Sequence, residues 1–174
     1  SVVIQEHESD LQSLHVAAPH LLPELRARGL REIHIAHRDA VDLDGNPAYA
    51  DKPVAGLGQS LREAQPLGIY NPVLRTVSVG VGTAYDASVA THELGHAVGP
   101  LLGFDDRLET IEAHQRLFDR LDEHSRIGGA GSFEGRREFF AESLSVLITF
   151  GTEEALLRYD AEWISFLKRE VLRR

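Results

Sequence analysis

The run His92-Glu93-Leu94-Gly95-His96 constrains this chain more than any other feature, because it is an HExxH motif. On a helix, side chains four positions apart lie on one face, so both imidazoles can reach the same metal ion. The Glu93 carboxylate then lies beside a water on that ion, an arrangement typical of zinc hydrolases. We therefore expect His92 and His96 to bind Zn²⁺ and Glu93 to act as the catalytic base.

The sequence around the motif predicts that it lies on a short helix. Residues 75–81 are rich in β-branched side chains, which predicts a strand just upstream. Residues 83–86 offer N-cap candidates for a helix that begins near Ala87, and Gly99 with Pro100 predicts its end. The stacking of the two imidazoles therefore has the local structure that it requires.

A zinc site needs a third protein ligand, and the sequence favours a carboxylate. Gly99 matches the glycine of the metzincin signature HExxHxxGxxH, but Leu102 stands where the third histidine belongs and the chain has no Met. Further on, Glu138 and Glu142 lie four positions apart on an otherwise apolar stretch. Glu138 can bind the metal, and Glu142 can accept the outer N–H of a ligand histidine. Should Glu138 not be the ligand, the candidates are Glu142, Glu109 and Glu112.

Two segments together resemble a known metal site. HELGHAV at 92–98 and EFFAE at 138–142 are similar to the metal site of the anthrax lethal factor catalytic domain and the related Pro-Pro endopeptidases. GIYNP at 68–72 is similar to the edge strand that lines the cleft of those enzymes. The resemblance implies zinc ligands at His92, His96 and Glu138. It also implies a substrate-binding edge strand that includes Ile69, Tyr70 and Asn71.

One position departs from that family. A tyrosine that stabilises the transition state is expected seven residues before the ligand Glu138, and Gly131 stands there. A replacement donor could be a side chain or a backbone N–H, or zinc could act alone. The candidate side chains are His114, His124, Tyr85 and Tyr159.

We therefore expect a zinc-dependent endopeptidase that cleaves peptide bonds with Glu93 as general base. The alternative is a catalytically weak or inactive relative that binds a peptide or protein in the same cleft, which the departure at Gly131 favours.

The order of predicted elements indicates an α+β fold, and the family resemblance implies that it is of the zincin-like type. We expect N-terminal helices, a small twisted mixed sheet with the HExxH helix, and then a mainly helical C-terminal half. The whole of 1–174 should be one metallopeptidase domain, with an N-terminal subdomain of about 1–99 and a helical C-terminal subdomain of about 100–174. The predicted strands are 32–36, 54–58, 69–70 and 75–81; the predicted helices are 9–18, 23–28, 87–99, 105–125, 136–150 and 152–174; and a turn-rich segment lies at 42–47.

Composition excludes several classes of partner. A formal net charge of -9 argues against nucleic acid, whose backbone requires a cationic surface. No apolar stretch approaches the length that spans a bilayer, and no signal peptide is visible, so we expect no membrane partner. We expect a monomer that acts on a peptide or protein substrate. The family resemblance alone implies that the protein is secreted or delivered as part of a toxin-like protein.

Overall fold

The computed structural model describes residues 2–53, 58–80 and 87–173. The strand predicted at 54–58 therefore lies, except for residue 58, outside the described residues. Tyr85 and the N-cap candidates at 83–86 also lie outside them. No helix in the described ranges is long and apolar enough to cross a membrane.

Two helices open the chain, α1 (Val2–Ala17) and α2 (Leu21–Ala27). The prediction that α1 begins at Ser9 or Asp10 was wrong, because both residues lie inside the helix. The Ser9 carbonyl accepts a bond from the Ser13 hydroxyl at 3.0 Å, one turn further on, so Ser9 does not serve as a cap. The helix α2 begins before Pro23, because proline is tolerated in the first turn of a helix.

Three short strands form a mixed sheet: β1 (Glu32–Ile35), β2 (Gly68–Asn71) and β3 (Thr76–Val79). The central strand is β3, which pairs with β1 in parallel and with β2 antiparallel. The predicted strands at 32–36 and 69–70 are confirmed within a residue or two, and 75–81 is confirmed in its described part. An α+β fold with a small mixed sheet is thus observed.

The segment between β1 and β2 holds three short helices: α3 (Ala40–Asp44), α4 (Pro47–Ala50) and α5 (Leu61–Ala64). The turn-rich reading of 42–47 was therefore wrong in part. Asp44 ends α3 with its carboxylate buried, where it accepts bonds from Asn71 Nδ2 at 2.9 Å and Thr76 Oγ1 at 3.3 Å. This buried network attaches α3 to the sheet.

The HExxH motif lies on α6 (Val89–Leu102). Ser88 caps the helix by accepting the Thr91 N–H at 3.2 Å. The predicted end at Gly99 and Pro100 was wrong, because the helix runs on to a left-handed Gly103 (φ 77°), the usual C-terminal signal. Pro100 falls in the last turn, where it removes one intrahelical N–H.

The remaining chain is helical. The helix α7 (Leu108–Leu117) leads into a 3₁₀ turn (Phe118–Arg120), and α8 (Phe133–Arg158) begins where Ser132 accepts the Gly135 N–H. Gly151, with φ 85°, breaks α8 near its end. Then α9 (Ala161–Phe166) and a π-helical turn (Leu167–Val171) complete the described chain.

Two helix predictions in this half were wrong. The helix expected over 105–125 is shorter, because Asp105 is buried against α6 instead of capping α7. The helix expected over 152–174 is interrupted, because Asp160 starts a new helix by accepting the Trp163 N–H at 2.8 Å. The non-helical gap predicted between the helices 105–125 and 136–150 is confirmed, and it contains the glycines at 128, 129 and 131.

The helix α6 lies between the sheet and α8, and it also contacts α1 and α2. One hydrophobic cluster joins the N-terminal and C-terminal parts of the chain, and the boundary predicted near residue 99 falls inside α6. Members of this cluster include Leu14, Val77, Leu94, Phe139 and Trp163.

Candidate metal centre

The two motif histidines meet on one face of α6. His92 Nε2 and His96 Nε2 lie 3.1 Å apart, as the helical spacing of four residues predicts. Both nitrogens are on the side of the helix that faces α8, so a third ligand from α8 can approach the same point.

Glu138 supplies that third group. Its Oε2 lies 3.5 Å from His92 Nε2, and its Oε1 lies 3.4 Å from His96 Nε2. Two tetrahedral ligands at about 2.0–2.1 Å from zinc would be about 3.3 Å apart, and each of these contacts is close to that value. One ligand atom from each of the three residues lies within 4.8 Å of the other two. His92, His96 and Glu138 together could therefore hold a metal ion, and the two motifs that bring them together are separated by 42 positions.

A close helix crossing brings Glu138 to this position. A Cβ on Gly95 would lie 2.7 Å from Ala141 Cα, so α6 and α8 approach each other more closely there than any side chain on Gly95 would permit. Ala141 is three residues from Glu138, within one turn of α8. The glycine inside the motif thus sets the distance between the histidines and the carboxylate.

Glu142 lies behind His92, as predicted from the sequence. The Nδ1–H of His92 donates to Glu142 Oε2 at 3.1 Å. This bond fixes the tautomer, so that Nε2 is the ring nitrogen whose lone pair can bind a metal. Glu109 and Glu112, the other candidates for the third ligand, are not part of this cluster among the described residues.

The cluster is strongly coupled electrostatically. Burial alone would lower the pKa of His92, but the carboxylates of Glu138 and Glu142 raise it to about 10. Burial raises the pKa of Glu138, and the opposing charge of His96 with the bonds from both imidazoles holds it well below its usual range. Two carboxylates therefore stabilise positive charge at this point, whether that charge is a proton or a metal ion.

Glu93 is buried on the sheet side of α6, with 8% of its surface exposed. It packs against β2 at Gly68, where a Cβ would lie 2.3 Å from Glu93 Cγ. Burial raises the pKa of the Glu93 carboxyl, although the nearby His96 and His92 charges and a bond from the Tyr70 N–H oppose the shift. A carboxylate whose pKa is raised is better suited to accept and return a proton.

The predicted edge strand lies beside this carboxylate. The Gly80 N–H donates to the Leu67 carbonyl at 2.9 Å, and paired residues alternate along an antiparallel ladder. The main-chain groups of Gly68 and Tyr70 therefore point away from β3. All four residues of β2, including Ile69 and Asn71, are buried, with α6 and α3 packed against them.

Gly131 cannot carry a tyrosine without strain. Its φ is +76°, and a Cβ there would lie 2.7 Å from Gln115 Nε2. Both ring nitrogens of the nearby His114 are engaged by the main chain, one with Ser125 O at 2.6 Å and one with the Gly131 N–H at 2.9 Å. His114 is thus occupied in holding the glycine loop.

Two other candidate donors line the same cavity as residues of the metal centre. A cavity of about 520 Å³ is lined by His92, Glu138 and Glu142 together with His124 and Tyr159. Burial raises the pKa of the Tyr159 hydroxyl, as do the charges of Glu142 and Asp122, so it stays protonated and can donate.

Sequence reasoning missed one charged pair beside the centre. Asp105 Oδ2 and Arg137 Nε lie 3.6 Å apart, and neither atom has a hydrogen-bond partner among the described residues. Burial raises the pKa of Asp105 to about 6, although the Arg137 and His96 charges oppose the shift. A Cβ on Gly99 would lie 2.0 Å from Asp105 Oδ1, so the glycine after the motif was the one available signal of this contact.

Comparisons with protein-family models, with curated proteins and with solved structures returned no match to this chain. The functional argument therefore depends on the chemistry of the centre itself.

Proposed function

We propose that this protein is a zinc-dependent endopeptidase in which His92, His96 and Glu138 hold the metal. The observation that carries the proposal is the convergence of two imidazole nitrogens, 3.1 Å apart, on one carboxylate, whose Oε1 and Oε2 lie 3.4 Å and 3.5 Å from them. These values are close to the edge of about 3.3 Å expected around tetrahedral zinc. Two imidazoles and one carboxylate, with a cavity on the open side, match the ligand set of catalytic zinc. Zn²⁺ bound here would polarise the scissile carbonyl and lower the pKa of the attacking water.

Glu93 is proposed as the general base. Its carboxylate accepts the proton of the water as the oxygen attacks the carbonyl carbon, and then delivers that proton to the leaving amine as the C–N bond breaks. The raised pKa supports this role, because a carboxyl that holds a proton more readily can return it. The Tyr70 N–H and the contact with Gly68 restrain the side chain in one orientation.

Tyr159 is proposed as the donor that stabilises the developing oxyanion. Tyr159 is only 6% exposed, and it lines the same cavity as His92 and Glu138. A buried hydroxyl in this position needs little reorganisation to donate a bond. We prefer it to His124 because the His124 side chain is exposed to solvent.

The substrate is proposed to be an extended peptide that pairs with the outer edge of β2. The main-chain groups of Gly68 point to this edge, whereas the Tyr70 N–H is bonded to Glu93. Such pairing would provide affinity that is largely independent of sequence. All four residues of β2 are buried, so pairing with a substrate requires its outer edge to become accessible.

We also propose a relationship to the anthrax lethal factor and Pro-Pro endopeptidase group of zincins. The support is the pattern of His92, Glu93, His96, Glu138 and Glu142, together with a short edge strand beside the motif helix. Export or delivery as part of a toxin-like protein would follow from this relationship.

The test combines metal analysis with a diverse peptide library. We expect one tightly bound zinc per chain and cleavage of internal peptide bonds. His92→Ala and His96→Ala should lose the metal, whereas Glu93→Gln should retain it and lose at least ~10² in turnover. His114→Gln serves as a control for a buried histidine outside the cluster.

The outcomes separate the two functions considered. A Glu93→Gln variant that cleaves peptides at the wild-type rate would refute the mechanism. Zinc binding without hydrolysis of any peptide would instead support the inactive, peptide-binding relative, which the glycine at position 131 favours. Failure to bind zinc would refute the endopeptidase.

A further inference from the structure

The cavity beside the metal centre has two walls of different chemistry. One wall is made by His92, Glu138 and Glu142 of the centre itself. The opposite wall is made by the segment 120–125 and by residues 157–159 at the end of α8. A substrate held at the metal must therefore place a neighbouring group against this second wall.

The acidic groups that line the cavity are already engaged. Glu142 accepts the His92 Nδ1–H, and Glu138 is the proposed metal ligand. The Asp122 carboxylate closes a local turn: its Oδ1 accepts the Ser125 N–H at 2.9 Å and its Oδ2 accepts the Ser125 hydroxyl at 3.1 Å. A basic substrate group would have to compete with these bonds.

The guanidinium of Arg120, in contrast, has N–H donors that these acidic groups do not engage. The Arg120 side chain is exposed, and among the described residues its Nη2 reaches only the Leu157 carbonyl, at 3.4 Å. It forms no ion pair within the described part of the chain. The charge of Arg120 does lower the pKa of Asp160, but that carboxylate is bonded to Arg116 Nε at 2.6 Å. The planar guanidinium of Arg120 therefore remains available for a second carboxylate.

Two neighbours strengthen the positive character of this wall. Arg158 also lines the cavity, although its Nε lies 3.0 Å from Glu154 Oε1 and is shared with that carboxylate. His124 adds an exposed imidazole that can donate a hydrogen bond. Apart from the metal centre, the charged groups that line the cavity are thus two guanidiniums and one carboxylate.

We propose that this cavity binds a carboxylate of the peptide substrate through Arg120, so that the enzyme prefers acidic substrates. The inference rests on the proposed peptidase function and adds the substrate class. The carboxylate could be an Asp or Glu side chain near the scissile bond, or the free C-terminus of the peptide. Both sources present the same planar group to the guanidinium.

The experiment uses alanine-based hexapeptides with an amidated C-terminus that carry Glu or Gln at one position, scanned along the peptide. A third series carries Gln and a free C-terminal carboxylate. Binding is measured calorimetrically on the zinc-loaded Glu93→Gln protein, and cleavage on the zinc-loaded wild type. We expect the preferred carboxylate source to bind about 5- to 10-fold more tightly than the neutral peptide, as for a partly exposed charge-assisted bond.

Three variants test the residue assignment. Arg120→Leu should bring the ratio of affinities for acidic and neutral peptides to about 1. Arg120→Glu should lower this ratio below 1 and favour a peptide in which Lys replaces Gln. Arg126→Leu removes the same charge from an exposed position of the same loop outside the cavity, and should keep the wild-type ratio.

The results distinguish this inference from the proposed function. A wild-type ratio near 1, or a ratio that survives Arg120→Leu, would overturn the carboxylate site whether or not peptides are cleaved. An Arg120-dependent ratio in binding, without any hydrolysis by wild type, would retain the site and refute the peptidase. The Glu and free-acid series identify which carboxylate is recognised.

Discussion

Gly95 offers the most direct test of how the fold builds the centre. A Cβ at this position would lie 2.7 Å from Ala141 Cα and 3.0 Å from Ala141 Cβ. Carbon atoms pack best at about 3.5–4.0 Å, so Gly95→Ala should push α6 and α8 apart by roughly 0.8 Å. The displaced part of α8 carries Glu138 and Glu142, while the histidines remain on α6.

The energetic effect has two opposing parts. Alanine is the better helix former by about 0.8–1.0 kcal/mol, so without a clash Gly95→Ala would stabilise the protein. Overpacking a close contact costs about 1–3 kcal/mol. We expect a net loss of about 1 kcal/mol in the free energy of unfolding. Zinc should bind about 10- to 100-fold more weakly, because the loss of a residue that orients a metal ligand typically weakens metal binding by this factor.

Urea unfolding of the metal-free protein and competitive zinc titration would measure the two effects. A double variant that adds Ala141→Gly removes the 3.0 Å contact but leaves the one to Cα, so it should recover part of the zinc affinity. Ala141→Gly alone controls for the cost of a glycine in α8. A Gly95→Ala protein that is more stable than wild type, with unchanged zinc affinity, would refute the reasoning.

Three further predictions concern the centre and its cavity. Glu138→Gln should reduce zinc affinity more than Glu142→Gln, for which about 10- to 100-fold is expected, and equal effects would contradict the assignment of the ligand. Tyr159→Phe should lower turnover by about 10²–10³ with zinc content and unfolding free energy retained, and an unchanged turnover would remove it as the oxyanion donor. The metal-free His92 holds its proton below a pKa of about 10, and zinc needs the neutral imidazole, so zinc affinity should fall as the pH falls. Calorimetry in two buffers at pH 7 should detect about one proton released per zinc, with affinity rising about tenfold per pH unit from 6 to 8; no proton release would contradict the coupling.

The cluster of three candidate ligands could be anticipated because its determinants are local. The spacing of His92 and His96 needs only a helix, and the sequence around them predicts one. Glu138 and Glu142 were found in the same way, from two carboxylates on an apolar stretch. Helical periodicity identifies which side chains share a face, and here two such faces meet.

The cavity could not be anticipated, because it depends on how distant segments pack. Arg120 lies in an irregular segment after α7, and Tyr159 lies beyond the break at Gly151 in α8. Asp105 was misjudged for the same reason. Its sequence position suggests a helix cap, but its burial depends on the space left by Gly99 on another element.

Three glycines explain why α6 can be held so closely by its neighbours. Gly68 admits the Glu93 side chain to the surface of β2, Gly95 admits α8, and Gly99 admits Asp105. At each point a single Cβ would lie within 2.7 Å of the neighbouring group, so each contact depends on the missing side chain. Two of these glycines lie on the motif helix and the third lies on the edge strand. The proposed base, the metal ligands and the proposed substrate strand therefore belong to one closely packed unit. Pre-organisation of this kind is what a metal-dependent hydrolase requires, because ligands held in place lose little entropy when the ion binds.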